Sequence, residues 1–219
     1  IKTRLPVEAR ASIPPGAASS GTHQPSPNGP EISYNALKKR MKASFKALGA
    51  SYAVERLMRE EGGRPVLVTA TDGNHGRSVA WGAQKCGCRC TVYIHQHVSV
   101  QREHAIASLG AEVIRLPGHY DDSVRKAYES ARAPDWYIIQ DTTNGEAIET
   151  TLDVMHGYTL LAGEVIEQLP RDQLPTHVFL QAGVGGMAAA VLARFWYELG
   201  EQRPVSVLVE PRTAACCFL

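Results

Sequence analysis

The chain has 219 residues, of which 44% are hydrophobic, and its formal net charge at pH 7 is +1. This composition is typical of a soluble globular protein with one large or two small domains, and a nearly neutral chain gives no electrostatic basis for binding nucleic acid. The sequence has no apolar stretch of membrane-spanning length and no signal-peptide core in its first thirty residues, so we expect a cytoplasmic protein that binds no membrane.

The chain begins with a proline- and glycine-rich segment and then becomes regular. Residues 1–33 have too little apolar content to offset the entropy of ordering them, which predicts a disordered or loosely attached arm. Hydrophobic periodicity then predicts, in chain order, helix 34–61 with a break before Ala43, strand 65–70, helix 75–86, strand 90–95, helix 100–109, strand 111–116, helix 120–132, strand 136–140, helix 151–168, strand 177–182, helix 187–199 and strand 204–209. This alternation predicts an α/β fold of parallel sheets with helices on both faces.

A lysine in the first predicted helix is a candidate nucleophile. Lys46 lies in SFKALGASYAV, residues 44–54, between apolar neighbours. An amine that faces an apolar pocket has a lowered pKa and can form a Schiff base. From this stretch alone, the favoured interpretation is a surface lysine that lays its stem along an amphipathic helix.

The turn after the first predicted strand holds an unusual number of polar groups. Residues 65–81 read PVLVTATDGNHGRSVAW, so Asp72, Asn74 and His75 lie between the end of a strand and the start of a helix. Open α/β sheets bind ligands at this position, where free backbone N–H groups also favour anions. An ordinary turn in which Asp72 or Asn74 only caps the helix is the alternative.

A second strand-to-helix turn is rich in glycine. In QAGVGGMAAAV, residues 181–191, three glycines allow the backbone to approach a ligand, and the turn suits a phosphate. The same letters satisfy the dinucleotide fingerprint, with Glu210 at the end of the next strand as the ribose-binding acid. A turn needed only for tight packing is the third explanation.

The five cysteines form two tight clusters, at 86–90 and 216–217. Their odd number does not fit a disulfide framework. The CGCRC run with His95 and His97 lacks a paired C-x-x-C, so we interpret these residues as reduced structural thiols and surface histidines and predict no metal site.

Taken together, SFKALGASYAV, TATDGNHGRSVAW, QREHAIASLGAEV, the HYDDSVRKA helix, the IIQDT strand end and THVFLQAGVGGM resemble the fold type II pyridoxal-phosphate enzymes related to the tryptophan synthase β chain. Within that superfamily they are most similar to the diaminopropionate ammonia-lyases. The resemblance covers about residues 43–216. It implies a helical segment at 34–62 that carries the cofactor lysine, a small domain at 63–148 and part of the large cofactor-binding domain at 149–219.

The resemblance implies that pyridoxal 5′-phosphate is the cofactor. Lys46 would hold it as a Schiff base, Asn74 would hydrogen-bond its ring oxygen, and His75 would shape the same loop. The phosphate would be cradled by one turn, made of Gly183, Val184, Gly185, Gly186 and Met187.

The resemblance also implies catalytic roles for Lys46, Asp72 and Asp141. Lys46 would take or return the Cα proton, Asp72 would be the base for a D-substrate, and Asp141 would be a second carboxylate near the cofactor. The expected reaction is elimination of ammonia from 2,3-diaminopropionate, a small amino acid, giving pyruvate and ammonia. The superfamily commonly forms dimers, so a homodimer is a further expectation.

The chain stops at EPRTAACCFL, roughly halfway through a family-length protein, so we expect the C-terminal part of the large domain to be missing from a truncated or partial chain.

Other functions stay open beside the ammonia-lyase. They are a serine or threonine dehydratase with the same cofactor, a dinucleotide-binding oxidoreductase and a remnant without catalytic activity.

Overall fold

A computed structural model of the protein describes residues 44–61 and 63–217, apart from the side chain of Arg171. These residues form six α-helices and six β-strands: α1 Lys46–Glu61, β1 Val66–Ala70, α2 Asn74–Cys86, β2 Arg89–His95, α3 Val100–Ala107, β3 Glu112–Leu116, α4 Tyr120–Ser130, β4 Trp136–Ile138, α5 Ile148–Gln168, β5 His177–Gln181, α6 Gly186–Leu199 and β6 Val205–Val209. The predicted arm and the start of the first predicted helix lie outside the described residues.

Strands β1 to β4 form the large sheet, in the order β3-β2-β1-β4, and every neighbouring pair in it is parallel. The chain runs from β1 outward through β2 to β3 and then returns to the other side of β1 with β4. The carboxyl ends of β1 and β4 therefore border a crevice where the strand order reverses, which is where such sheets bind ligands.

Apolar side chains of the large sheet alternate between two faces, and helices cover both. Leu67, Val92 and Ile94 belong to a buried cluster with residues of α1 and α2. Val68 and Tyr93 belong to a second cluster with residues of α4. Because successive residues of a strand point to opposite faces, this division confirms the predicted parallel sheet with helices on both sides.

Strands β5 and β6 form the small sheet, a parallel pair connected by α6. Helix α6 packs on α5, and α5 packs on α1, so buried residues of all three helices belong to the cluster that also lines the large sheet. The two sheets are thus joined by one continuous layer of helices. Among the helices in the described ranges, none combines the length and the hydropathy needed to cross a lipid bilayer.

Helices α1 and α5 cross at a pair of glycines. A methyl group built on Gly157 would overlap the carbonyl oxygen of Leu48, and one on Gly49 would lie 2.5 Å from the carbonyl oxygen of Val154. Only hydrogen side chains let the two backbones approach this closely. The contact fixes the start of α1, where Lys46 lies, against the helix that precedes the small sheet.

The predicted strand 136–140 is too long, because β4 ends at Ile138. The backbone of Ile139 still donates to Val68 O at 2.9 Å, but the next rung is made by a side chain. The amide of Gln140 accepts from Ala70 N at 3.2 Å and donates to Ala70 O at 3.1 Å. Since this amide replaces the backbone, the chain leaves the sheet one residue before Asp141.

Candidate active site

Thr71 caps the turn after β1, so the alternative in which Asp72 or Asn74 only caps the helix does not apply. The Thr71 hydroxyl oxygen accepts from the N–H of Gly73 at 2.9 Å and from the N–H of Gly76 at 3.1 Å. A methyl group on Gly76 would overlap Thr71 Cγ2, so this cap requires glycine there. The side chains of Asp72 and Asn74 are exposed beside the turn and take no part in its cap.

His75 connects the turn to the end of β4. Its Nε2 lies 2.9 Å from the carbonyl oxygen of Ile139, and because a carbonyl can only accept, Nε2 carries a proton. The other nitrogen, Nδ1, is buried and has no hydrogen-bond partner among the described residues. It lies 3.9 Å from Asp141 Oδ2, so an unpartnered polar atom faces the crevice.

Lys46 and Asp141 form an ion pair across the crevice, in which Lys46 Nζ donates to Asp141 Oδ2. The ammonium also lies 5.1 Å from the ring centroid of Phe45 and 5.7 Å from that of Tyr158. Burial acts to raise the pKa of Asp141, but attraction to His75 and Lys46 and the hydrogen bond from Lys46 outweigh it, so the net pKa is lowered. Asp141 is therefore a carboxylate at neutral pH.

Asp72 lies in the turn after β1 and contacts the end of β2. Its Oδ1 is 2.9 Å from His95 Nε2, and its backbone carbonyl accepts from Arg102 at 3.2 Å. His95 is the last residue of β2, so two neighbouring strand ends supply this pair. The carboxylate is more than half exposed and lines the pocket described below.

The glycine-rich turn leads into α6. Gly185 has a φ of 82°, in the left-handed region that favours glycine, and helix α6 begins at the next residue. Within the described residues, no side chain caps this helix end. The first N–H groups of a helix have no intrahelical partner, so the turn offers donors to an anion.

These segments converge on one pocket of about 420 Å³. Every predicted site residue lines it. The remaining lining residues are Phe45, Ala70, Thr71, Gly73, Tyr120 and Gln181. Another pocket, of about 430 Å³, lies between α4, β4 and the start of α5 and contains none of the predicted site residues.

Tyr120 is the most notable residue that sequence reasoning missed. It begins α4, its hydroxyl accepts from Gln140 Nε2 at 3.1 Å, and burial together with Asp141 and Asp72 raises its pKa, so the phenol keeps its proton at neutral pH. No motif marks it, because its position depends on how α4 packs under β1. Gln140 had a weak signal, as a polar residue that ends an apolar strand.

Glu210 has a structural role that differs from the one in the dinucleotide interpretation. One of its oxygens accepts from the backbone N–H of Cys216 at 2.9 Å, and both oxygens lie 3.2 Å from the N–H of Cys217. The acid therefore closes the turn after β6.

Burial raises the pKa of Cys86 to about 11 and that of Cys90 to about 12, so both thiols stay protonated.

Known proteins with similar sequences are also enzymes that the resemblance pointed to. Residues 40–218 match the family described as pyridoxal-phosphate dependent enzyme. The chain is 37% identical over 193 residues to a diaminopropionate ammonia-lyase of Escherichia coli strain K12, covering 80% of this chain and 48% of that protein. It is 27% identical over 173 residues to a biosynthetic L-threonine dehydratase of Haemophilus influenzae, covering 79% of this chain and 31% of that protein.

A solved structure is also similar. The crystal structure of the holo diaminopropionate ammonia lyase from Escherichia coli superposes with a TM-score of 0.76 at 34% identity, covering 90% of this chain and 58% of that chain. The present chain spans about half the length of the curated ammonia-lyases that it matches. The family match over most of the sequence, the shared fold and the convergence of the motifs on one pocket establish that the chain belongs to the pyridoxal-phosphate dependent enzymes.

Proposed function

We propose that this chain carries the cofactor site of a pyridoxal-phosphate lyase that eliminates ammonia from 2,3-diaminopropionate. The overall reaction converts one diaminopropionate and one water into pyruvate and two molecules of ammonia. One observation supports the proposal most: Lys46, the turn at 71–75, Asp141 and the turn at 183–187 line a single pocket although they are far apart in sequence. A cytoplasmic location and a homodimer are further parts of the proposal.

The residues of the pocket fit pyridoxal phosphate. A lysine lies beside two aromatic rings on one wall, and a glycine turn at a helix start provides anion-binding donors on another. A methyl group on Gly183 would meet no heavy atom within 4 Å among the described residues, so this part of the turn is open. Lys46 would hold the cofactor covalently, Asn74 and His75 would contact its ring, and residues 183–187 would bind its phosphate.

When bound, the cofactor supplies an electron sink for the electron pair left at Cα. The chain's own residues would move the protons. Without the cofactor, Lys46 donates to Asp141. Once substrate has released Lys46 from the cofactor, its free amine would accept the Cα proton. Because the Cα–H bonds of two enantiomers point to opposite sides of the ring, we assign the base for the D-isomer to Asp72.

The pocket holds two carboxylates, which suits a substrate with two amino groups. Asp141 and Asp72 each provide an anionic partner for an ammonium group, and Asp141 has a lowered pKa that keeps it charged. The half-buried phenol of Tyr120 adds a proton donor beside them. A hydroxyamino acid would give only one ammonium group for this pair of acids.

A serine or threonine dehydratase is the second candidate, supported by the similarity to the Haemophilus influenzae threonine dehydratase. Both reactions use the same cofactor chemistry and differ in the group that leaves from Cβ. Substrate choice therefore separates them.

The proposal predicts that the purified chain gains a visible absorption band when pyridoxal phosphate is added, and that borohydride fixes the cofactor on Lys46. Lys46→Ala should abolish the band, whereas Lys85→Ala should not, because Lys85 lies on Trp81 outside the pocket. Pyruvate release should follow addition of D- or L-2,3-diaminopropionate.

Three outcomes would contradict parts of this proposal. Borohydride labelling at a lysine other than Lys46 would overturn the assignment of the cofactor residue. Turnover of L-threonine or L-serine without turnover of diaminopropionate would favour the dehydratase. A protein that folds but forms no band would show that the chain does not bind the cofactor by itself.

A further inference from the structure

The pair formed by Asp72 and His95 is not explained by the motifs of the sequence. The predicted role of His95 was that of a surface histidine, yet its side chain is only 16% exposed, and its Nε2 lies 2.9 Å from Asp72 Oδ1. Asp72 itself is 56% exposed. A mostly buried ring therefore holds a carboxylate that would otherwise be free to rotate in solvent.

Contacts on both sides of the ring define which nitrogen carries the proton. The backbone N–H of His97 donates to His95 Nδ1 at 3.3 Å, so Nδ1 is the acceptor. A neutral imidazole that accepts at Nδ1 carries its proton at Nε2. That proton points at Asp72, so His95 donates to the carboxylate.

The backbone of Asp72 is fixed as well. Arg102 donates to its carbonyl oxygen at 3.2 Å, and the Arg102 stem would touch a methyl group placed on Gly73 at 3.4 Å. Arg102 lies in the first turn of α3, where Ser99 caps the helix by accepting from the N–H of Arg102. The turn and the carboxylate are thus supported from β2 and α3 together.

We infer that His95 is a positioning residue that orients Asp72 toward the substrate. The inference rests on the proposed function, in which Asp72 is the base for the D-isomer. By binding one carboxylate oxygen, His95 restricts the side chain to one rotamer and leaves the second oxygen for the Cα proton. A base must be within hydrogen-bond reach of the proton that it removes, so this restriction should act on kcat.

The first test compares the two enantiomers of 2,3-diaminopropionate with the cofactor-loaded protein. His95→Ala should lower kcat for the D-isomer about tenfold, the cost of losing one hydrogen bond to a charged group, and leave kcat for the L-isomer unchanged. His95→Gln, which keeps an N–H donor near the position of Nε2, should restore most of the loss. The matched control is His104→Gln, because His104 is exposed on α3 and does not line the pocket.

An equal loss for both enantiomers in His95→Ala would indicate a general structural role and overturn the inference. Unchanged kcat for the D-isomer would overturn it too. If the wild-type protein turns over neither enantiomer, the proposed function is wrong, and the test below still decides whether His95 holds Asp72.

The second test needs neither cofactor nor turnover. Long-range ¹H–¹⁵N correlation spectra of the cofactor-free protein should show the Nε2–H tautomer for His95, assigned by its loss in His95→Gln. Asp72→Ala should shift the His95 signals and leave those of His156, which pairs with Asp153, unchanged. An Nδ1–H tautomer, or His95 signals that do not change in Asp72→Ala, would show that the hydrogen bond from His95 to Asp72 does not form.

Discussion

At the scale of single residues, the turn after β1 separates structural roles from chemical ones. Thr71 satisfies the backbone N–H groups, and Gly76 makes room for its methyl group. His75 ties the turn to the end of β4. Because the cap is provided from the strand side, Asp72 and Asn74 need not stabilise the helix, and their side chains can serve the pocket.

The ion pair of Lys46 and Asp141 should make stability depend on pH. The pKa of Asp141 is lowered in the folded protein, so its contribution is fully present above the unfolded value and is lost as pH falls through the folded value. Asp141→Asn should lower the free energy of unfolding by about 1–3 kcal/mol at neutral pH, because the Lys46 ammonium loses its partner. The deficit should shrink below about pH 4.

Urea unfolding at several pH values, without cofactor, measures this difference. Asp172→Asn is the matched control, since Asp172 is exposed and lies outside the pocket. A deficit that stays constant between neutral and acidic pH would mean that the charge of Asp141 does not contribute to folding.

The residues of the site differ in how readily the sequence alone identifies them. Asp72, Asn74 and His75 lie beside one another after an apolar strand, and the glycines at 183–186 mark a second turn, so local patterns were sufficient to select them. That Lys46 faces the pocket depends on the crossing of α1 with α5. Tyr120 and the cap by Thr71 depend on three-dimensional contacts that no local pattern records.

At the scale of elements, the glycine crossing of α1 and α5 fixes the position of the start of α1, where Lys46 lies. Gly157→Ala should destabilise the protein by about 1–3 kcal/mol, because the new methyl group overlaps the backbone of α1. The control is Gly163→Ala on the same helix, where a methyl group would meet only Arg194 at 3.7 Å. Since alanine favours helix, the control should be neutral or stabilising by up to about 1 kcal/mol.

Thermal and urea unfolding of both variants provide the comparison. Equal effects of the two substitutions would show that the crossing is not tightly packed. A larger loss for Gly157→Ala alone would attribute the effect to the close approach of the backbones, since helix propensity changes equally at both positions.

The bounds of most helices and strands agree with the sequence predictions to within a few residues. Period-two and period-3.6 patterns were sufficient because most strands are buried on both faces or bounded by polar turns. Strand β4 is the informative exception. Its predicted end was extended by Ile139 and Gln140, whose apolar or planar side chains suit a strand, but the side-chain amide of Gln140 replaces the last backbone rung.

At the scale of the whole molecule, the two sheets should differ in stability. All five residues of β1 are buried between two neighbouring strands, whereas β6 is mostly exposed or half-buried and has β5 as its partner. Native-state hydrogen exchange should therefore protect the amides of β1 and β2 most strongly, and those of β5 and β6 should exchange earlier.

Mass spectrometry of peptides from the exchanging protein resolves the two sheets. Equal protection of β1 and β6 would contradict the expectation.

Addition of pyridoxal phosphate should slow exchange at residues 71–76 and 183–187 if these turns contact it. Peptides from β3, which lies at the far edge of the large sheet, serve as the internal control.

The ion pair between Lys46 and Asp141 joins residues separated by 95 positions in the chain. Between them lie the whole of β2, β3 and α4, which must fold back before β4 can take its place beside β1. Long-range contacts of this kind form late, because closing a long loop costs entropy before any contact compensates for it. We therefore expect the pocket, and with it a site for the cofactor, to be complete only after the central sheet has closed.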